Sequence, residues 1–416
     1  MQKVCLVSLG CKVNQYEIDG ILNSLKGKYQ TTTELEEADI YIVNTCAVTQ
    51  EAEKKSRQII SKIEKLNPEA KIYVCGCAAQ NDPDQFLQKK QVEYVIGTYG
   101  KGKLKDNFDK KGNGVCAVPK TYEDDLTATN VRTRGYIKVQ DGCNNYCAYC
   151  IIPFLRGRSR SRALESVIAE ANTLAKTCKE IVITGVNISD YRVNGNLGLN
   201  QLMKALGEVP ARIRIGSLEV NIINEQLLQT LKEMPNFCPS FHLSLQSGSD
   251  KVLWEMNRHY TTKEFLNKVN MIRRYFDNPA ITTDLIVGYP TETQKDFENT
   301  LWFLKQVQFS GVHYFAYSSR KGTKAGALPQ INGTIIKERE EKLKPVVAEL
   351  HANYLSKFIG RPLDVLIEEK KSQFFEGFSE NYIRCYVDDE DVKIGDISKV
   401  MPVSIHQNGL LCKVIV

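Results

Sequence analysis

Residues 142–150 read Gly-Cys-Asn-Asn-Tyr-Cys-Ala-Tyr-Cys, and the thiols of Cys143, Cys147 and Cys150 are the sharpest chemical signal in the chain. Cys-x3-Cys-x2-Cys spacing can wrap three corners of a cubane iron–sulfur cluster, for which cysteine is the usual protein ligand. A cluster held by three cysteines leaves one iron open to bind something else. Structural zinc is the main rival, but it prefers four protein ligands, commonly in paired Cys-x2-Cys hooks. Simple packing is the other rival. The 416 residues include 13 cysteines. In a large chain of cytosolic character, clustered cysteines bind metal or do chemistry more often than they form disulfides. Isolated ones such as Cys5, Cys178, Cys238, Cys385 and Cys412 read as small buried apolar residues.

The triplet follows the first of six strand-like runs, at 135–139, 180–184, 212–217, 241–246, 280–287 and 311–317. Helical patterns lie between them, as at 162–175, 262–276 and 294–307. Six β/α units without clear repeats predict a barrel or partial barrel, with functional groups at the C-terminal ends of the strands. A shorter alternation precedes it, with strands at 3–9, 40–44, 71–75 and 92–96 and helices at 14–25 and 49–66. That order predicts a parallel sheet with crossover helices. Cys11, Cys46 and Cys77 each fall just past a strand end, in loops that gather at one sheet edge, so three dispersed cysteines are expected to converge. Residues 97–132, rich in Lys, Gly, Asp and Thr, read as a connection. A charged helical stretch at 334–358, interrupted at Pro345, leads to an all-β end with strands at 363–368, 382–387 and 410–416. The expected fold class is α/β with a small all-β C-terminal part.

The net charge of +6 is unevenly placed. Residues 1–128 hold 18 basic and 18 acidic side chains, and residues 361–416 hold 7 and 10, so the middle carries the whole basic excess. A local excess of this kind draws polyanions. No apolar run is long enough to span a bilayer, and the apolar stretch at 4–10 is shorter than a secretory signal requires. The expectation is a cytoplasmic protein with no membrane partner.

With Tyr149 before its last cysteine, and opening a run of β/α units, the triplet resembles the radical S-adenosylmethionine (SAM) superfamily. The following Ile151-Ile152-Pro153 and Arg156-Gly157-Arg158-Ser159-Arg160-Ser161-Arg162 resemble one branch of it, the methylthiotransferases. Gly10-Cys11, Asn44-Thr45-Cys46 and Gly76-Cys77-Ala78-Ala79-Gln80 match the cysteines of that family's N-terminal part. The resemblance implies three domains: an auxiliary-cluster domain at 1–113, a radical SAM partial (β/α)6 barrel at 129–358, and a small RNA-binding barrel called TRAM at 360–416. It implies two [4Fe-4S] clusters, one on Cys143, Cys147 and Cys150, whose open iron chelates SAM and cleaves it to a 5′-deoxyadenosyl radical. The other, on Cys11, Cys46 and Cys77, would deliver sulfur, leaving neighbouring Cys75 as a buried spare. Stretches at 244–250, 283–290 and 317–323 also fall where the family has motifs. Two motifs depart from it: Ser217-Leu218-Glu219-Val220 lacks the usual proline, and Thr291 replaces a glycine after Pro290. The common SAM-amine motif is represented only by Thr184-Gly185-Val186-Asn187.

Around SAM the expected contacts are Tyr149, Gly185, Asn187, Ser217, Glu219, Gln246, Arg258 and Asp284. For Asp284 a capping or paired role is the alternative, and for Arg258 a surface salt bridge. Arg156, Arg158, Arg160 and Arg162 are either a solvated basic loop or a grip on RNA phosphates, since guanidinium matches phosphate geometry. Phe374, Phe375, Phe378, Tyr382 and Tyr386 either stack on unpaired bases or pack the C-terminal core. The resemblance implies methylthiolation of carbon 2 of an adenosine in the anticodon stem-loop of tRNA. It also implies a second SAM as methyl donor, an external electron donor and a sulfur source. Residues 11–17, Cys-Lys-Val-Asn-Gln-Tyr-Glu, look like the branch acting on threonylcarbamoyl-adenosine at position 37. Isopentenyl-adenosine and a ribosomal-protein aspartate are the alternative substrates, and a non-catalytic iron–sulfur RNA-binding protein is the alternative class.

Overall fold

The computed structural model describes residues 1–122, 126–128 and 132–415. Positions 123–125 and 129–131, within the expected connection and at the expected start of the second domain, lie outside the described residues, as does Val416 at the end of the expected last strand.

The first part is a parallel sheet of β1 (Lys3–Ser8), β2 (Gln30–Thr32), β3 (Ile40–Thr45), β4 (Lys71–Gly76), β5 (Val92–Val95) and β6 (Gly112–Asn113), in the order β2-β1-β3-β4-β5-β6. β3 is buried along its whole length, as a central parallel strand covered on both faces must be. The main crossovers are α1 (Lys12–Leu25), α2 (Gln50–Leu66), α3 (Cys77–Asn81) and α4 (Asp84–Leu87). Thr49 caps α2 by accepting from Ala52 N, and Glu51 and Glu53 in its first turn suit the positive end of the helix.

A second series runs β7 (Arg134–Asp141), α5 (Ile152–Arg156), β8 (Arg160–Ser161), α6 (Leu164–Leu174), β9 (Glu180–Gly185), a β10–β11 hairpin (Arg192–Val193, Asn196–Leu197), α7 (Leu199–Leu206) and β12 (Arg212–Ile215). It continues through β13 (Ser217–Leu218), α8 (Glu225–Glu233), β14 (Ser240–Leu243), α9 (Asp250–Glu255), α10 (Thr262–Tyr275), β15 (Ala280–Val287), α11 (Gln294–Val307) and β16 (Gly311–Ala316). Two four-stranded sheets, β12-β9-β7-β8 and β13-β14-β15-β16, curve into a partial barrel. Alternation fixes which face is which. Ile137, Val139, Ile181, Ile183, Ile213 and Ile215 turn outward into the helix-covered core. Arg134, Lys138, Glu180, Arg214, His242, Asp284 and His313 therefore face the lumen. Helix α1 lies against β7 and β9 and covers that side of the lumen.

Helix α12 (Gly333–Ser356) runs unbroken through Pro345, where the sequence predicted an interruption. Pro345 is exposed. The carbonyl it deprives of a donor can be hydrated, while Leu343 and Leu350 hold the buried face on either side.

Strands β17 (Leu363–Lys371), β18 (Phe374–Ser379), β19 (Arg384–Val387), β20 (Ile397–His406) and β21 (Gly409–Val414) close a small barrel. Two of its aromatics meet arginines of the central barrel. Phe378 and Tyr382 stack with ring centroids 4.7 Å apart, and the Arg134 guanidinium lies 4.8 Å from the Phe378 centroid. Arg214 lies 4.8 Å from that of Tyr382 and donates to Ser379 O and Glu380 O, while Arg134 pairs with Glu368 at 2.6 Å. Glu180, fully buried, neutralises Arg134 and Arg214 from within the lumen. The C-terminal barrel thus closes the floor of the central one.

Candidate active site

The loop after β7 carries the cysteine triplet, and its entry can only be glycine. Gly142 has φ +72°, and a Cβ there would collide with the carbonyl of Arg158. Gly142→Ala is expected to cost about 1–3 kcal/mol for the backbone conformation alone, with the collision in addition. Reconstituted protein should lose half its iron, and its melting midpoint should fall. The Gln140 amide braces the turn by donating to Asp141 O, Gly142 O and Ser159 Oγ, and Cys143 N bonds Gly157 O at 3.1 Å. Cys147 is buried, and Cys143 and Cys150 are half-buried. Burial, helped by neighbouring Cys147 and Cys143, pushes the Cys150 thiol up to about 12. Thiols placed this way ionise only when a cation shares them, which iron does outright. Donors surround the sulfurs: Arg258 Nη1 lies 3.3 Å from Cys147 Sγ, and Asn145 N lies 3.4 Å from Cys143 Sγ.

Beside the triplet lies an open pocket of 340 Å³ whose lining includes Asn144, Asn145, Asn187, Ser189, Glu219 and Arg258. Arg258 forms an ion pair with Glu219 and donates to Ser244 O, and Asn145 Nδ2 bonds the other Glu219 oxygen at 3.2 Å. Arg258 is buried, so the surface-salt-bridge alternative fails. Three of the expected SAM contacts, Asn187, Glu219 and Arg258, come together here. Tyr149, Gly185, Ser217, Gln246 and Asp284 do not line this pocket. Tyr149 packs against a cluster containing Val252, Met256 and Tyr289. Gly185 is tight for a different reason than expected, since a Cβ would press on Ile188 Cγ2 at 2.8 Å and Gln140 O at 2.9 Å. Ser217 is exposed on β13, and Gln246, at φ +70°, bridges β15 through its backbone. Asp284 pairs with His242 in the lumen, Nε2 to Oδ2 3.1 Å.

The other three cysteines sit at the C-terminal ends of adjacent strands. Cys11 is the N-cap of α1 after β1, Cys46 follows β3, and Cys77 opens α3 after β4. Gly10 and Gly76 have φ +97° and +103°. A Cβ on Gly10 would lie 2.6 Å from Cys46 Sγ, and one on Gly76 would strike Thr45 O. The chain therefore turns as tightly as it can to bring these thiols together. Burial, with the charges of Cys77 and Cys11 in support, pushes Cys46 up to about 12, so the three share one field. Cys75 points instead into the core with Val4, Leu6 and Ile42. Among the described residues, no three His, Cys, Asp or Glu side chains converge closely enough for a single metal ion. A cubane places each cysteine on a different iron, so three thiols are a donor set that such a cluster takes.

The arginine-rich segment requires a correction. Arg156, Arg160 and Arg162 are buried, and only Arg158 is exposed. Arg162 pairs with Glu170, and Arg160 reaches Asp141 at 3.6 Å. Arg156 is 2% exposed. It donates to Glu17 Oε1 at 2.9 Å, Asn14 Oδ1 at 3.0 Å, both Asp141 oxygens at 3.2 Å, and Cys77 Sγ at 3.2 Å. Lys101 and Lys138 complete the cluster on Glu17. These guanidinium groups are occupied by carboxylates and cannot take phosphates. The segment is a buried bolt joining the cysteine-bearing sheet to the barrel. On the far side of the junction, Gln50 N bonds Ser318 Oγ at 2.9 Å, and Arg320 pairs with Glu53. Sequence reasoning missed Asn14, Glu17 and Asp141. The available signal was Asn14 and Glu17, two polar residues three apart on a helix whose buried residues are mostly apolar.

Comparison with known proteins agrees with this geometry. Residues 3–97 match the model of Uncharacterized protein family UPF0004, and residues 137–304 match that of the Radical SAM superfamily. The chain is 37% identical to Threonylcarbamoyladenosine tRNA methylthiotransferase MtaB of Thermotoga maritima, over 99% of this chain and 96% of that one. The Bacillus subtilis protein of the same name is 35% identical, over 96% and 93%. A tRNA-2-methylthio-N(6)-dimethylallyladenosine synthase of Clostridium novyi is 33% identical, over 86% and 84%. Among solved structures, the radical SAM methyltransferase TsrM of Kitasatospora setae superposes with a TM-score of 0.56 at 13% identity, covering 78% of this chain and 74% of that one, which shows a shared fold. With one cysteine triplet in the loop after β7, another along the edge of the first sheet, and relatives matched from end to end, the chain belongs to the radical SAM methylthiotransferase family, in its MtaB-like branch.

Proposed function

We propose that this enzyme replaces the hydrogen on carbon 2 of threonylcarbamoyl-adenosine at position 37 of tRNA with a methylthio group. The observation that carries the reading is Arg156, which touches Cys77 of one triplet and Asp141 at the root of the other. One buried side chain thus holds the two candidate cluster sites against each other, as sulfur insertion at a radical centre requires. Cys143, Cys147 and Cys150 would hold the cluster at which SAM is bound and reductively cleaved, and Cys11, Cys46 and Cys77 the one at which sulfur is delivered. Arg258, Glu219 and Asn187 would orient the polar end of SAM, and Arg158 would meet tRNA phosphate.

The parts at 1–113, 129–358 and 360–416 would divide the labour as sulfur delivery, radical generation and closure of the chamber. An external electron donor and a sulfur source serve the reaction. No helix among the described residues is long and apolar enough to cross a membrane, and a cytoplasmic location suits a tRNA substrate.

The test is anaerobic reconstitution with iron and sulfide, then SAM, reductant and tRNA bearing threonylcarbamoyl-adenosine, with digested nucleosides read by mass spectrometry. The methylthio nucleoside is the expected product. Cleaved SAM without that product, together with turnover of dimethylallyl-adenosine tRNA, would move the enzyme to the other substrate. Untouched SAM in protein with both clusters filled would leave an iron–sulfur RNA-binding protein.

A further inference from the structure

Across the second half of the barrel, the lumen carries a row of polar side chains that neither cysteine triplet uses. The register sets His242 beside Thr282, and Asp284 beside His313, on β14, β15 and β16. Their outward neighbours Leu243, Leu285 and Val312 are in the core, so these residues point inward. The His242 imidazole is fixed on both sides, by Asp284 Oδ2 at 3.1 Å and Thr282 Oγ1 at 2.9 Å. The His313 ring lies 5.9 Å from that of His242 and is exposed. One row nearer the strand ends, Phe315 beside Ile286 leaves 51% of its surface uncovered, an apolar face that nothing in the fold employs.

The opposite wall is the first turn of α1. Lys12, next to Cys11, sits in the field of Asp284, Arg134, Arg214 and Tyr382, and its charge is felt at His313. Its side chain is exposed, at the start of the helix that covers the β7–β9 side of the lumen. Lys101 and Lys138 are paired with Glu17. Among the described residues, no carboxylate stands within ion-pair distance of Lys12. The uncapped N-terminus of α1 adds to the positive potential there. The chamber thus offers an unpaired cation, an imidazole and a His–Asp pair, below an open aromatic ring.

That set suits a ligand carrying a base, a carboxylate and a hydroxyl. We propose that the row, completed by Lys12, is the subsite for the polar arm of the substrate nucleoside. Lys12 and His313 take the arm's carboxylate, the His242–Asp284 pair takes its hydroxyl, and Phe315 meets the base. This rests on the threonylcarbamoyl reading of the substrate. A threonylcarbamoyl arm carries both groups, whereas a dimethylallyl arm is hydrocarbon and would leave the row unsatisfied. Sites built for hydrogen bonds discriminate strongly against ligands that lack them.

The test uses the reconstituted full chain and two labelled anticodon stem-loops, identical except that one carries threonylcarbamoyl-adenosine and the other plain adenosine. Dissociation constants are measured for the native protein, Lys12→Met and His313→Leu. Lys12 adjoins Cys11, so iron content is checked in that variant, and His313→Leu probes the far wall independently. The native protein should prefer the modified stem-loop, and each variant should lose about 10- to 100-fold of that preference, the scale of a lost hydrogen bond to a charged group. A preference kept intact in both variants would overturn the subsite while leaving the substrate reading in place. A native protein with no preference, which instead methylthiolates dimethylallyl-adenosine tRNA, would overturn both.

Discussion

Cys147→Ala is expected to yield a folded protein with half the native iron and sulfide and no reductive cleavage of SAM. Of the three thiols in its loop, Cys147 is the buried one and the one that Arg258 contacts. Its loss leaves two ligands on a cluster that needs three to stay bound while keeping one iron open. The other triplet stands on a separate sheet, with its own turns at Gly10 and Gly76, and should fill normally. Iron and sulfide assays, with chromatography for 5′-deoxyadenosine and methionine, check both halves of the result. Cleavage retained in this variant would remove Cys143, Cys147 and Cys150 from the reaction.

Arg156→Met should lower folding stability by about 3–5 kcal/mol, the cost of stripping one partner from a buried ion cluster. Burial alone pushes the carboxyls of Glu17 and Asp141 up. Arg156, with Lys138 and, for Glu17, Lys101, more than reverses that, holding Asp141 at about 2 and Glu17 well below the ordinary range. Carboxyls depressed on folding contribute stability that is complete above their unfolded value, near 4, and that is lost as pH falls toward 2. Without the guanidinium, acid denaturation should begin at higher pH. Arg156→Lys keeps the charge but not the forked donors, so it should recover only part of the loss. Urea unfolding at neutral and mildly acidic pH measures both effects. An unchanged midpoint in Arg156→Met would mean that the cluster contributes nothing net.

The cysteines and the strands beneath them were legible in the sequence because hydrophobic period and chain order are local. β15 and α11 fall where their patterns put them, and Cys11, Cys46 and Cys77 share an edge because parallel strands leave them no alternative. The arginines at 156, 160 and 162 were misread for the opposite reason. Their partners Glu17, Asp141 and Glu170 are set by the docking of one part on another, which no local pattern records. The same holds for Phe378 and Tyr382, whose place under Arg134 and Arg214 exists only once the two barrels meet. Strand β18 escaped notice because Glu376 and Gly377 interrupt its apolar residues, and β20 because Lys399 and Pro402 interrupt its own. Pro345 was weighted by its local penalty, and its solvent-facing position made that penalty small.

The closed floor has a kinetic corollary. With Phe378 and Tyr382 under the lumen and α1 along one flank, the chamber is a cul-de-sac. Whatever enters such a chamber leaves by the way it came.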